Sequence, residues 1–159
     1  MGARVRQFSV IFASLALCGF MLSSGCGGEE PEDNQVDCNG ISIDAISPDI
    51  DSLTTHVFAK SCAYGSCHDA SAPAEGFQFY DLATVEAAIN SASVQDESVM
   101  LIAPGDPANS YIYRKITGTN MAATDQNGRI ATMMPPGAPL CAPKIEAVRA
   151  WIEAGALAD

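Results

Sequence analysis

Apolar residues recur along the chain at intervals of three and four, and no segment alternates apolar with polar positions long enough to mark a strand. Ser47-Pro48-Asp49 offers an N-cap followed by proline at the first helical position. Ile50, Leu53 and Val57 then share one helical face with Phe58 beside them, which predicts a helix running into Cys62. Leu82, Val85 and Ile89 predict a second, short helix over 81–90. Asp106-Pro107 is a start signal for a third, continuing through Ile112 and Ile116 until Gly118 stops it. Pro143 opens the last helix, with Ile145, Val148 and Ile152 on one face and Trp151 beside them. Lys144, Glu146, Arg149 and Glu153 fall on its other side, and Gly155 supplies the stop. Loops rich in glycine and proline fill 71–76, 103–105, 117–128 and 135–139. The expected fold is all-α over residues 46–159, with long loops that need something to pack on.

The segment ahead of this domain reads differently. Arg4 and Arg6 precede an uncharged apolar run over 10–22. A bilayer span needs roughly 20 such residues, so the run suits a signal-peptide core better than a membrane helix. It ends in Leu22-Ser23-Ser24-Gly25-Cys26. Small residues immediately before a cysteine resemble the lipobox of bacterial lipoproteins, which implies that 1–25 is removed and Cys26 is lipidated. The competing reading is a soluble secreted protein cut nearby. Residues 26–45 then form a tether; its stretch 27–40 is acidic, glycine-rich and nearly free of apolar side chains, too polar to fold alone. The localisation expected is export and membrane anchoring, on the periplasmic or cell-surface side.

Charge narrows the partners. The 159-residue chain has 19 acids against 8 cations, a formal net charge of −11. Without Arg4 and Arg6, six cations remain against the same 19 acids, or −13. Such a surface repels phosphate backbones, so nucleic acid is a poor partner. A hydrophobic content of 48% excludes a mainly disordered chain. No P-loop, G-x-G-x-x-G or H-E-x-x-H string is present, which removes three common entry points to enzyme chemistry.

One string stands apart: Cys62-Ala63-Tyr64-Gly65-Ser66-Cys67-His68. Two thiols followed at once by an imidazole suit the attachment of a c-type haem, the thiols adding to its vinyl groups and the histidine binding iron. The common motif has two residues between the cysteines, about 60° apart around a helix. Four intervening residues give about 140°, so the segment must bulge, and Gly65 has the backbone freedom for it. A Cys62–Cys67 disulfide or a zinc site are the alternatives; no second cysteine pair supports zinc, and His56 is the other imidazole. Downstream, Met133-Met134-Pro135-Pro136-Gly137 places a thioether on a stiff loop, as the second face of such a haem requires. Pro135 restricts the residue before it, so Met134 has the better-fixed direction of the two, and Met100 and Met121 lack this setting. Methionines on a loop also serve as gap-filling core residues. Asp125-Gln126-Asn127-Gly128 is a surface turn rather than a calcium loop, because no bidentate glutamate follows.

With these residues in place, the chain resembles the small cytochrome c-like domains of exported planctomycete and myxobacterial proteins. The resemblance rests on Phe58-Ala59-Lys60-Ser61-Cys62 leading to Cys67-His68, then Pro104-Gly105-Asp106-Pro107-Ala108-Asn109-Ser110-Tyr111-Ile112-Tyr113-Arg114-Lys115-Ile116. Met134-Pro135-Pro136-Gly137 and Ile145-Glu146-Ala147-Val148-Arg149-Ala150-Trp151-Ile152-Glu153-Ala154-Gly155-Ala156 complete it. It covers roughly residues 50–156 and implies a class I cytochrome c-like helical fold whose first and last helices cross over the haem edge. It also implies His68 as the proximal iron ligand and Met134 as the distal one.

The expected function is electron transfer through a covalent haem, without enzymatic turnover, toward a redox partner that a basic surface would suit. A haem-free, disulfide-tied binding module and a haem peroxidase or ligand sensor are the rivals. If Cys62 and Cys67 take haem and Cys26 takes lipid, Cys38 and Cys141 remain in the mature chain, and a disulfide between them is expected in an oxidising compartment.

Overall fold

The computed structural model describes residues 40–158 except 66, 72, 125–127 and 129. The leader, Cys26, Cys38 and most of the acidic tether lie outside the described residues. So do Asp125, Gln126 and Asn127 of the candidate turn. The tether's last residues, Ile43–Ala45, make one 3-10 turn.

The described residues contain four helices and no strand. Helix α1 begins as α-helix over Ile50–Leu53 and continues without a break as π-helix over Thr54–Cys62. Helices α2 (Leu82–Ala88), α3 (Tyr111–Thr117) and α4 (Ala142–Glu153) follow. Isolated bridges, Ile89 with Ile102, Ala92 with Met100 and Met100 with Ser110, tie the loops between α2 and α3 without building a sheet. The chain is all-α.

Helices of seven residues do not persist alone in water, so these depend on what they bury. Ile50, Leu53, Val57 and Phe58 of α1 are each at most 1% exposed. They meet Val85 of α2, Ile112 and Ile116 of α3, and Val148, Trp151 and Ile152 of α4 in one cluster. Burying each such side chain contributes about 1.5–3 kcal/mol. α1 packs against α2 and α4, and α3 packs against α4.

Three boundaries and one helix face differ from the sequence expectation. Asp49, not Ser47, caps α1: its carboxylate accepts from the Ser52 amide at 2.7 Å, while the Ser47 amide donates to Ser52 Oγ. α2 is capped by a reciprocal Asp81–Thr84 box, but Leu82 faces solvent, and Ile89 leaves the helix in extended backbone to bridge Ile102. The third helix does not run on from Pro107. A 3-10 turn over Pro107–Asn109 stops at Ser110, whose backbone is extended. The fully buried Ser110 hydroxyl accepts from the Ala103 amide at 2.8 Å and donates to the Asp106 carbonyl at 2.9 Å, which holds the break in place. In α4, Lys144 is not on the polar side; it is fully buried, and its Nζ donates to Ser61 Oγ at 3.2 Å. Arg149 stays on the outer side and pairs with Glu146 and Glu153.

Ser110→Ala should therefore destabilise the fold by about 1–3 kcal/mol, because it leaves the buried Ala103 amide without an acceptor. Urea unfolding of the two proteins measures this. An unchanged midpoint would show that the hydroxyl contributes nothing.

Candidate functional site

The π-helical half of α1 sets up the site. Nine residues bonded i to i+5 are unusual, since π-turns are mostly single and cluster where function bends a helix. The last such bond runs from the Ala63 amide to the Phe58 carbonyl at 3.0 Å. Beyond it the chain swings outward. Gly65 takes φ +67, and a Cβ there would meet no atom within 4 Å, so glycine is needed for backbone conformation and not for space. Tyr64 sits on this loop, 78% exposed. The Cys67 amide donates to the Tyr64 carbonyl at 3.3 Å, and the His68 amide returns to the Cys62 carbonyl at 3.1 Å. The four-residue insert thus becomes a loop closed at its base, with Cys62 and His68 at the closure.

The imidazole is held from behind. His68 Nδ1 lies 3.0 Å from the Phe77 carbonyl. A carbonyl only accepts, so Nδ1 donates here, and in the neutral ring this leaves the lone pair on Nε2. The Phe79 amide donates to the His68 carbonyl at 2.9 Å, and the Phe79 ring stands edge-on to the imidazole with centroids 5.7 Å apart.

Across the site, the loop after α3 carries the methionines. The Met134 amide donates to the Lys115 carbonyl at 2.8 Å, which pins this loop to α3. Met133 turns elsewhere: its sulfur lies 3.2 Å from where a Cβ on Gly118 would be. Gly118 ends α3 at φ +71. Met134 instead lines a cavity of about 380 Å³ together with Cys62, Cys67 and His68. That volume falls within the range of small-molecule and cofactor sites. Phe77, Phe79, Leu101, Ile112 and Ile116 supply apolar wall, and Pro135 and Pro136 close it beside Met134.

The structure therefore brings together four residues that the sequence separates by up to 72 positions. Cys62 and Cys67 are not joined in a disulfide. Among the described residues, no three of His, Cys, Asp and Glu come together to hold a metal ion. The cavity wall thus offers one imidazole, one thioether and two thiols on a largely apolar surface. His56 is half-buried on α1 and does not line the cavity. Cys141 is the N-cap residue of α4; its expected partner Cys38 lies outside the described residues. No described helix is long and apolar enough to cross a membrane.

The cavity also holds polar groups that the motif reading did not single out. Lys115 and Tyr111, one turn apart on α3, face it with Ser93, Gln95, Thr132 and Glu75. The Tyr111 hydroxyl donates to Gln95 Oε1 at 3.1 Å and accepts from the Ala122 amide at 3.3 Å. Desolvation raises the pKa of this phenol. The signal was present in the sequence, since Tyr111 and Lys115 share the face of Ile112 and Ile116, but helical spacing alone does not separate core from cavity wall.

Compared with family models, with curated proteins and with solved structures, the chain has no significant match. The arrangement of side chains carries the functional reading by itself.

The two thiols differ in setting. Desolvation pushes Cys62 up to about 12, against the nearby Lys144 ammonium, which lowers it. Cys67 is exposed. In protein expressed without residues 1–25, iodoacetamide at pH 8 should label Cys67 within minutes and leave Cys62 largely unmodified, since burial keeps Cys62 in the thiol form. Peptide mass spectrometry reads the two rates, and equal labelling would contradict this difference.

Proposed function

We propose that this chain carries electrons through a covalently held c-type haem, as an exported protein anchored to a membrane by lipid on Cys26. The observation that carries the reading is the meeting of Cys62, Cys67, His68 and Met134 on the wall of one largely apolar cavity. The residues fit the group by their chemistry. Two thiols provide the thioether links, His68 Nε2 is left available by the Phe77 bond, and Met134 offers a soft sulfur. When bound, the haem supplies a one-electron couple at iron.

The rest is the work of this chain. With an imidazole and a thioether both supplied by the protein, His68 and Met134 would hold the haem between them, which favours a carrier over a catalyst. The Phe77 carbonyl keeps His68 in one tautomer and one orientation. The Lys115 carbonyl fixes the backbone at Met134. Phe79, Leu101, Ile112 and Ile116 keep water from the site, which holds the potential up along with the thioether ligand. The acid-rich chain steers a basic redox partner toward the site in a salt-sensitive way.

An optical spectrum of protein matured in a host that attaches haem c tests the reading. A Soret band that survives acid-acetone extraction is expected; a colourless protein would overturn it. Met134→Ala should abolish the sulfur-to-iron charge-transfer absorption and admit carbon monoxide, while Met133→Ala should leave both as in the wild type. Rapid peroxide turnover by the unmutated ferric protein would instead favour a peroxidase.

The anchor has its own test. Residues 23–25 are small, the apolar run precedes them, and a polar tether follows Cys26. Several acyl chains on one residue hold a protein at a membrane where a single chain does not. Cys26→Ala should move the protein from the membrane pellet to the soluble fraction, and retention in the pellet would rule out lipid at this position.

A further inference from the structure

A second, shallower hollow of about 230 Å³ opens on the outside of the molecule. It lies between residues 76–78 and one side of α2, where Thr84, Ala87 and Ala88 line it. Phe77 lines this groove and also the cavity of His68 and Met134, so it forms the wall between them. Its carbonyl is the group that His68 Nδ1 bonds at 3.0 Å. A surface groove is thereby one residue away from the imidazole. Ala87 is exposed, and a Cβ on Gly76 would meet no atom within 4 Å, so the groove is open from outside. Charge along this part of the chain has one sign. Residues 61–113, which include every residue lining the groove, hold seven acids and neither lysine nor arginine. Asp81 Oδ1 accepts from the Thr84 amide at 2.9 Å, which sets a carboxylate beside the groove, and Glu86 is exposed on the same helix.

We propose that this groove is the docking surface for the redox partner, a one-electron carrier that presents an apolar side chain ringed by lysine or arginine. This rests on the haem reading and gives the encounter a place. An apolar centre with a polar border is the usual build of a protein interface, and weak redox encounters bury the least area. Opposite charge beside the groove speeds and orients the approach, while the groove itself fixes the final contact. One electron crosses between the partner and the site, and no bond forms or breaks. Phe77 is a positioning residue in this arrangement: it meets the partner on one side and orients His68 on the other.

Titration of the reduced, haem-loaded protein with a synthetic peptide of alternating lysine and leucine tests this, read by amide chemical shifts. Shifts at 76–78, 84, 87 and 88 are expected. Shifts confined to 130–136, which border the cavity itself, or none at all, would overturn the inference. In a second arm, Ala87→Lys puts charge and bulk into the groove and should weaken binding by about tenfold or more. Ala83→Lys adds the same charge at an exposed position of α2 that does not line the groove, and should weaken binding by less than about threefold. Equal weakening by the two would mean that charge alone holds the peptide, against a groove. Shifts of the groove amides on dilution of the protein alone would give the place to a second copy of the chain, and would count against a partner there. A protein recovered without haem would overturn the haem reading itself, whereas loaded protein that binds the peptide elsewhere overturns this inference alone.

Discussion

Four aromatic rings in contact tie the helical core to the site. Trp151 of α4 meets Phe58 of α1 edge-on at 6.3 Å, Phe58 stacks on Phe79 at 5.6 Å, and Phe79 stands edge-on to His68 at 5.7 Å. Trp151, Phe58 and Phe79 are each at most 5% exposed. Such pairs contribute about 0.5–1.5 kcal/mol beyond the area they bury, but their placement matters more than that sum. The first and last helices are held together at Phe58 and Trp151, and Phe79 carries that packing to the imidazole. His68 is therefore positioned from two sides, by the Phe79 ring and by the Phe77 carbonyl. A loop of this length would not hold an imidazole in one orientation without such support.

The helices were legible where apolar spacing and caps agreed. α1 and α4 follow their stripes closely, because Val57, Phe58, Val148 and Trp151 all reach the core. The stripe failed where a polar group found a buried partner. Ser110 reads as an ordinary helical residue until its hydroxyl is seen between Ala103 and Asp106. Lys144 reads as surface until the end of α1 comes to lie over it and Ser61 Oγ accepts its hydrogen bond. The first contact lies within seven residues but depends on where a hydroxyl points, and the second spans 83 positions, so apolar spacing records neither. The change of α1 from α to π bonding is hidden for the same reason: its residues are compatible with either, and packing decides.

The site was legible as a set of reactive groups but not as a binding surface. Cys62, Cys67, His68 and Met134 stand out because soft sulfur and imidazole side chains at such spacing are rarely neutral to function. Pro135 also pointed to Met134, and in the structure the two methionines do part, Met133 to Gly118 and Met134 to the cavity. What sequence could not supply was the wall between them. Phe77 acts through a backbone carbonyl, which no side-chain motif records. Tyr111 and Lys115 share a helical face that reads equally as core, and Gln95 joins them only through the folded loop before α3.

Burial of two lysines changes what the outside of the molecule presents. Of the six cations that follow Cys26, Lys115 and Lys144 are withdrawn into the interior. One faces the cavity, and the other lies beside Ser61 and Cys62 at the crossing of α1 and α4. Arg149 is already engaged by Glu146 and Glu153. The field felt by an approaching partner is thus more negative than the formal charge suggests, because positive charge is used inside and negative charge is left in water. Solvent screens that field over about 10 Å at ordinary ionic strength, so it acts on encounter and orientation rather than on the final contact. In the interior, with less water to screen them, the same two cations act at short range on a thiol and on whatever fills the cavity. One distribution of charge therefore leaves acid in excess at the surface while two of the cations stand in the interior.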